Sequence, residues 1–247
     1  MEKKILVIDD DAGCRAVFNA ILTRAGYVVV EAASGSDAIP IIQQERFDLI
    51  LSDIRMPDGN GIDLLTWLRA GGDIETPFIL TSGLPDLSCE DTYHIGAESV
   101  LIKPIRVNTL LEITKRLTLP LNQRIRFEDT VTTTLEPLLI ESASTELLPT
   151  GKLAIGRGGF FVGISDQRAI PLEYLNFKVL SPTKEPMLTG VGVVRWVRQE
   201  QNNGLMSGLG VEFANLDSLS LQRMTAFINE CKPIPFIPRG ELPNHPE

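Results

Sequence analysis

Residues that build disulfide frameworks and metal clusters are scarce in this sequence. It holds 3 Cys and 2 His among 247 residues. Cys14, Cys89 and Cys231 form no spaced pair, and His94 and His245 stand alone. That argues against a disulfide scaffold, a zinc site or a Cys-His catalytic set. Positive charge is short as well, with 23 Lys and Arg against 32 Asp and Glu, a net of -9. That balance argues against a basic nucleic-acid-binding chain, so no DNA partner is expected. No apolar run approaches the ~20 residues a bilayer needs, so no membrane insertion is expected. The opening MEKKILVIDD passes straight from charges into a strand-like run, without the apolar region and cleavage site of a signal peptide. The chain therefore reads as cytoplasmic.

What is present falls into two halves. Residues 1–119 carry 11 Lys and Arg against 18 Asp and Glu, a net of -7, and the remainder 12 against 14, a net of -2. The first half alternates short β-branched runs with helix-period segments. Strands are expected at Lys4–Ile8, Tyr27–Glu31, Leu49–Ser52, Phe78–Thr81 and Ser99–Ile102. Helices are expected at Ala12–Arg24, Ser36–Glu45, Gly61–Ala70, Asp86–Ile95 and Val107–Leu117. Several of these strands are almost wholly apolar, as in a parallel sheet buried on both faces. Five strands alternating with five helices imply a doubly wound α/β domain around a five-stranded parallel sheet. Pro40 inside the second helical stretch should kink it or delay its start.

After Leu119-Pro120 the pattern changes. Turn residues multiply, and strand-like runs appear at Ile125–Leu135, Gly159–Ile164, Leu175–Leu180, Gly190–Arg198 and Leu205–Phe213. Gln201 to Gly204 reads as a hairpin connection, and Ser218–Glu230 as a closing helix. Short strands with frequent Gly suggest an all-β small barrel with a C-terminal helix. The last stretch, 233–247, holds five prolines and reads as a tail or an extended arm. The expected division is thus 1–120, 121–232 and a Pro-rich tail, 233–247.

Chemistry concentrates in the first half. Asp9 and Asp10 end the first expected strand, and Asp53 follows the third. In a parallel α/β sheet, loops after strands flanking the winding reversal meet at one crevice, so these distant carboxylates should converge. Close carboxylates repel unless a cation joins them, and an oxygen-rich set of this kind suits Mg²⁺. Thr81 and Lys103 bring a hydroxyl and a fixed positive charge to the same rim. That set fits phosphoryl transfer to a carboxylate nucleophile.

At Val7-Ile8-Asp9-Asp10, Leu51-Ser52-Asp53-Ile54-Arg55-Met56-Pro57, Thr81-Ser82-Gly83 and Lys103-Pro104, the sequence resembles the CheY-like receiver domain of two-component response regulators. The resemblance covers roughly residues 1–120 and implies a flavodoxin-like fold. It implies that Asp53 accepts a phosphoryl group from a sensor histidine kinase. Asp10, Asp53 and the backbone carbonyl of Arg55 would hold Mg²⁺, and Asp9 would help through a water. Lys103 would contact the phosphoryl group, and Thr81 would turn towards it. One departure stands out: receivers usually carry Tyr or Phe three residues before the Lys, and here that position is Val100. Signal would then pass through the face of the last helices, around Asp91, His94, Arg106 and Leu110, through a homodimer for example.

The second half is similar to PilZ domains, small six-stranded barrels that often bind cyclic di-GMP. Val193-Val194-Arg195-Trp196-Val197, Gly208-Leu209-Gly210-Val211-Glu212-Phe213 and the following helix carry the resemblance, with Gly158-Gly159-Phe160-Phe161-Val162 upstream. Ligand binding by such domains uses two arginines four apart, then an acid or amide, a Ser and a Gly. Here Arg124 and Arg126 are two apart, Ala154 stands for the acid or amide, Gly156 for the Ser, and only Gly159 matches. Two readings of Arg124, Arg126 and Arg157 stand. Either they form a variant site for the dinucleotide phosphates, or they line a solvated edge paired to Glu128 or Asp129. The expected output is a protein-interaction module acting on a downstream protein partner, and the alternative is a cyclic di-GMP sensor. No catalytic set is visible beyond self-catalysed phosphoryl transfer, so an enzyme is not expected. Gly71-Gly72-Asp73-Ile74-Glu75 looks like a diguanylate cyclase signature, yet it falls between the third helix and fourth strand, where Gly71 serves as a helix cap.

Overall fold

A computed structural model describes residues 2–83, 88–125, 136–147, 152–164, 170–201 and 204–240. By packing, the chain divides into Met1–Ser88 with Ile95–Pro120, and Cys89–His94 with Leu121–Glu247. The first unit is ordered by five strands: β1 (Lys4–Ile8), β2 (Val28–Ala32), β3 (Leu49–Asp53), β4 (Phe78–Ser82) and β5 (Ser99–Ile102). They form one sheet in the order β2-β1-β3-β4-β5, and every pairing is parallel. The helices are α1 (Ala12–Arg24), α2 (Gly35–Gln44), α3 (Gly61–Ala70), then the short α4 (Cys89–His94), and α5 (Val107–Leu117).

Alternation along the strands feeds two cores, one per face of the sheet. Leu6, Ile8, Ile50, Phe78 and Leu80 pack with Leu64, Leu65 and Leu68 of α3. Ile5, Val7, Leu49, Leu51 and Ile79 pack with Phe18 and Leu22 of α1 and Leu110 and Leu117 of α5. Helix starts are fixed by side-chain caps that satisfy orphan amides. Asp11 accepts from the Cys14 N–H, Ser34 from Asp37, and Asn60 from Ile62 and Asp63. Of the two effects expected of Pro40, a kink or a delayed start of α2, the delay does not occur. The helix begins five residues earlier, because Ser34 caps it and Ala38 donates its N–H to the Ser34 carbonyl.

The cyclase-like string is a helix exit. Gly71 caps α3, and Gly72 takes φ +87°, the left-handed region where glycine costs nothing. The Asp73 carboxylate then accepts from the Glu75 and Thr76 N–H groups and from the Thr76 hydroxyl. Burial alone would raise the Asp73 pKa, but the Thr76 bonds and the Arg69 charge outweigh it and hold it below the usual value. Beside this turn lies a buried ion pair. Arg69 meets Glu98 at 3.3 Å and also donates to the carbonyls of Asp73, Thr76 and Gly96.

The second unit contains α6 (Leu121–Arg124), β6 (Leu138–Glu141), β7 (Leu153–Ile155), β8 (Gly159–Val162), β9 (Tyr174–Leu180), β10 (Pro186–Arg198), β11 (Gly208–Leu216) and α7 (Ser218–Cys231). Its strands form a mixed sheet, strongly curled into a half-barrel, in the order β6-β9-β10-β11-β8-β7. β6 runs parallel to β9, and the other pairings are antiparallel. Register shifts at Val191/Gly192 and Val194/Trp196 mark bulges in β10, the device that bends a sheet. Of the expected strand at Ile125–Leu135 only Ile125 is described, a turn residue that donates its N–H to the Leu121 carbonyl; residues 126–135 lie outside the described residues. The hairpin expected at Gln201 to Gly204 likewise includes undescribed residues, 202 and 203.

Adjacent residues of β8 divide the packing. Phe160 points into the core beneath α7, with Phe177, Phe213, Met224 and Phe227. Phe161 belongs to a second cluster with Tyr93, Trp196, Met206, Phe236 and Ile237. There it stacks on Trp196 at 5.5 Å between ring centroids. Gly210 is what lets Trp196 lie flat across β11, because a Cβ there would stand 2.0 Å from the indole. Tyr93 comes from α4, so this helix counts with the second unit although the residues either side of it count with the first. The cluster is closed by an arm, residues 233–240, which carries Phe236 and Ile237.

Candidate functional site

The sheet winds in opposite directions from β1 and β3, and the crevice of such a fold opens at their carboxyl ends. Asp9 follows β1, Asp53 ends β3, Thr81 lies one residue from the end of β4, and Lys103 follows β5. Lys103 Nζ lies 2.6 Å from Asp53 Oδ1 and 2.7 Å from Asp9 Oδ2. The Thr81 hydroxyl donates to Asp53 Oδ1 at 3.1 Å, and the Arg55 N–H donates to Asp53 Oδ2 at 3.0 Å. Asp9 Oδ1 accepts the Asp11 N–H at 3.0 Å. Asp9 is 1% exposed and Asp53 6%, so the lysine sits among carboxylates largely stripped of water.

Burial alone would lower the Lys103 pKa, but its bonds to Asp53 and Asp9 outweigh that and raise it above the ordinary lysine value. A folded-state pKa raised in this way gives a stabilisation complete below the ordinary lysine range and lost only as pH climbs through the folded value. The cation is therefore fixed throughout the neutral range.

Sequence reasoning brings three carboxylates together; the structure joins two of them through Lys103 and leaves Asp10 exposed. Among the described residues, no group of three or more His, Cys, Asp and Glu side chains is arranged to hold a metal. Mg²⁺ needs only one or two carboxylates and keeps several waters. The exposed Asp10 and the Asp53 carboxylate are hard oxygen donors of the kind that ion takes.

One contributor escaped the sequence reading. Arg15, in the first turn of α1, donates from Nη1 to the Asp9 carbonyl at 2.6 Å and to the Asp10 carbonyl at 3.2 Å. It pins the loop that carries both acids, and its only signal was a cation five residues after Asp10. Val100 packs half-buried against the α3-side core. The expected signalling face is corrected at Leu110, which is 1% exposed within the core under α5. Asp91 and His94 belong to α4 and engage Arg239 of the arm.

In the second unit, Arg124 ends α6, Arg126 lies outside the described residues, and Arg157 sits in the β7–β8 turn with its side chain 3% exposed. Gly159 opens β8 opposite Glu212. The Arg157 and Gly158 N–H groups donate to the carbonyls of Pro235 and Phe236, both at 3.0 Å. A Cβ at Gly158 would stand 1.9 Å from the Phe236 ring, so this turn is glycine because the arm lies on it. Half-buried Arg195 and buried Glu212 pair across β10 and β11; burial opposes the Arg195 charge, and Glu212 more than restores it, raising its pKa.

The family model for the response regulator receiver domain matches residues 5–115. Sporulation initiation phosphotransferase F of Bacillus subtilis is 31% identical over 117 residues, covering 47% of this chain and 94% of that protein. The probable transcriptional regulator ycf27 of Cyanophora paradoxa is 35% identical over 126 residues, covering 48% of this chain and 52% of the relative. The chain thus spans about half the length of that regulator. Among solved structures, the receiver domain of Francisella response regulator 1452 is 29% identical with a TM-score of 0.45, covering 47% of this chain and 97% of that one. The chemotaxis protein CheY4 of Vibrio cholerae is 31% identical with a TM-score of 0.44, covering 47% and 99%. Through residues 5–115, the chain belongs to the response regulator receiver family.

Proposed function

We propose that the chain is a two-component response regulator whose Asp53 accepts a phosphoryl group from a sensor histidine kinase. The observation that carries this reading is the Asp9–Lys103–Asp53 cluster at the carboxyl edge of the sheet. An Asp53 carboxylate oxygen attacks phosphorus, the bond to the leaving group breaks, and that group departs with its electron pair. Mg²⁺, when bound, supplies positive charge to the phosphoryl oxygens. Asp10, Asp53 and the Arg55 carbonyl would hold it, with Asp9 assisting through a water. Lys103 offsets charge building on the same oxygens, and the Thr81 hydroxyl donates to the product. Incubation with acetyl phosphate and Mg²⁺ is expected to label the chain as a hydroxylamine-labile acyl phosphate, and chelating the metal is expected to stop it. Labelling unaffected by chelation would overturn the metal's role, and absence of any label would overturn the reading.

The output belongs to a PilZ-like domain that begins near residue 121 and acts mainly by binding a downstream protein. Two observations favour this over a cyclic di-GMP sensor. Arg157 is buried rather than presented, and the amides of the glycine turn already serve the arm. Calorimetric titration with cyclic di-GMP is expected to give no heat. Micromolar binding lost in Arg124→Ala or Arg126→Ala would reverse the choice. A homodimer through the last receiver helices would have to do without Leu110, which is core.

A further inference from the structure

The edge of the first unit's sheet that lies opposite Asp53 holds a cavity of about 410 Å³. Small-molecule sites run to roughly 300–1,000 Å³, so there is room for a compact organic ligand. The cavity lies between the last turn of α2, the last turn of α3 and the segment that leads into β3. Phe47, Ile50 and Leu68, all buried, give it an apolar wall. Trp67 of α3 and Arg46, two residues past the end of α2, line it as well, and both are exposed. An indole more than a third exposed forgoes burial that a ligand ring laid against it would restore.

Three charged side chains line the cavity, and two of them are already compensated. The Glu45 carboxylate meets Lys4 Nζ at 2.6 Å. The Asp73 carboxylate accepts from Glu75 and Thr76 and has the Arg69 charge beside it. Arg46 has no ion pair or hydrogen bond among the described residues. Helix carboxyl ends carry partial negative charge, which would favour a cation here. At α3 that charge is largely quenched, because the N–H groups of Gly71, Gly72 and Asp73 take the carbonyls of Trp67, Arg69 and Leu68. What is left unmatched is a guanidinium next to an indole.

We propose that this cavity binds a planar aromatic carboxylate, its ring against Trp67 and the apolar wall and its carboxylate on Arg46. A guanidinium grips a carboxylate with two parallel hydrogen bonds, a fit that neither a neutral ring nor a bare anion exploits in full. The neutral ring leaves the fork empty, and the bare anion leaves the apolar wall wet. The site stands apart from the phosphoacceptor crevice, and binding there needs neither Mg²⁺ nor a phosphodonor.

The test uses the full chain with β-naphthoate as probe and its neutral isostere, β-naphthamide, as control. Calorimetry is expected to show saturable binding of the acid at one site per chain. The two indole N–H signals in a proton–nitrogen spectrum are assigned with Trp67→Phe, and the Trp67 signal is expected to move and saturate with the heat while that of Trp196 stays. Arg46→Ala is expected to weaken the acid about tenfold or more, the worth of a charge-assisted hydrogen bond, and to leave the amide unchanged. Trp67→Ala is expected to weaken acid and amide alike. Both side chains are exposed, so neither substitution threatens the fold. Equal affinity for acid and amide, or parental affinity for the acid in Arg46→Ala, overturns the carboxylate site. A Trp67 signal that fails to saturate overturns the cavity as a ligand site altogether.

Discussion

Asp53→Asn is expected to take up no phosphoryl group from acetyl phosphate or a kinase, while folding as the parent does. An amide oxygen lacks the charge and the basicity to displace a leaving group from phosphorus, so the chemistry stops at the first atom. The fold should survive because the substitution is nearly isosteric. The Asn oxygen can still accept from Lys103 and Thr81, which stand 2.6 and 3.1 Å from Asp53 Oδ1. The cost falls on the other oxygen, which now accepts the Arg55 N–H at 3.0 Å and would become a second donor facing it. Intact-mass analysis after incubation reads the result directly. Wild-type stoichiometry in the variant would place the phosphoacceptor elsewhere and remove the central claim.

Glu98→Ala is expected to cost about 3–5 kcal/mol of stability in the first unit, measured as a shift of its urea midpoint. The Glu98 side chain is fully buried and Arg69 nearly so, at 0% and 3% exposure. Glu98 also accepts the Phe78 N–H at 2.7 Å, so its loss strands a buried guanidinium and an amide together. Arg69 in turn ties the exit of α3 to the turn that enters β5, through the carbonyls of Asp73, Thr76 and Gly96. Replacing both charges by Arg69→Met with Glu98→Leu is expected to recover most of the loss, since a well-packed apolar pair needs no solvation. A loss below about 1 kcal/mol in Glu98→Ala would mean that the site relaxes to admit water.

The first unit was legible because its signals were local and redundant. β1, β3 and β4 are short runs buried along nearly their whole length, and α1 and α3 start at the side-chain caps Asp11 and Asn60. β2 slipped by one residue because the Tyr27 N–H still closes α1 on the Leu22 carbonyl. Asp9, Asp53, Thr81 and Lys103 could be placed at one crevice from strand ends alone. The ammonium between two carboxylates could not, since only folded distances decide whether a lysine replaces a third acid.

The second unit hid its short edges. β6 and β7 have four and three residues, too few to show a period, and the one-turn helix Leu121–Arg124 is just as short. The glycines of Gly208-Leu209-Gly210 were visible as a motif, but not that Trp196 lies over one of them. The proline-rich stretch left a tail and an extended arm both open, and only the folded packing of Phe236 and Ile237 decides for an arm over 233–240.

The flat seat of Trp196 beneath Phe161 has a practical side. The chain holds 2 Trp, and they fall one to each unit: Trp67, 37% exposed on α3, and Trp196, 6% exposed in the half-barrel. An indole partly in water emits at longer wavelength than one sealed among aromatic rings. The intrinsic emission spectrum therefore carries two colours, and melting of either unit can be followed by its own colour without attaching a dye. Two units need not unfold as one, and the molecule brings the reporters that tell them apart.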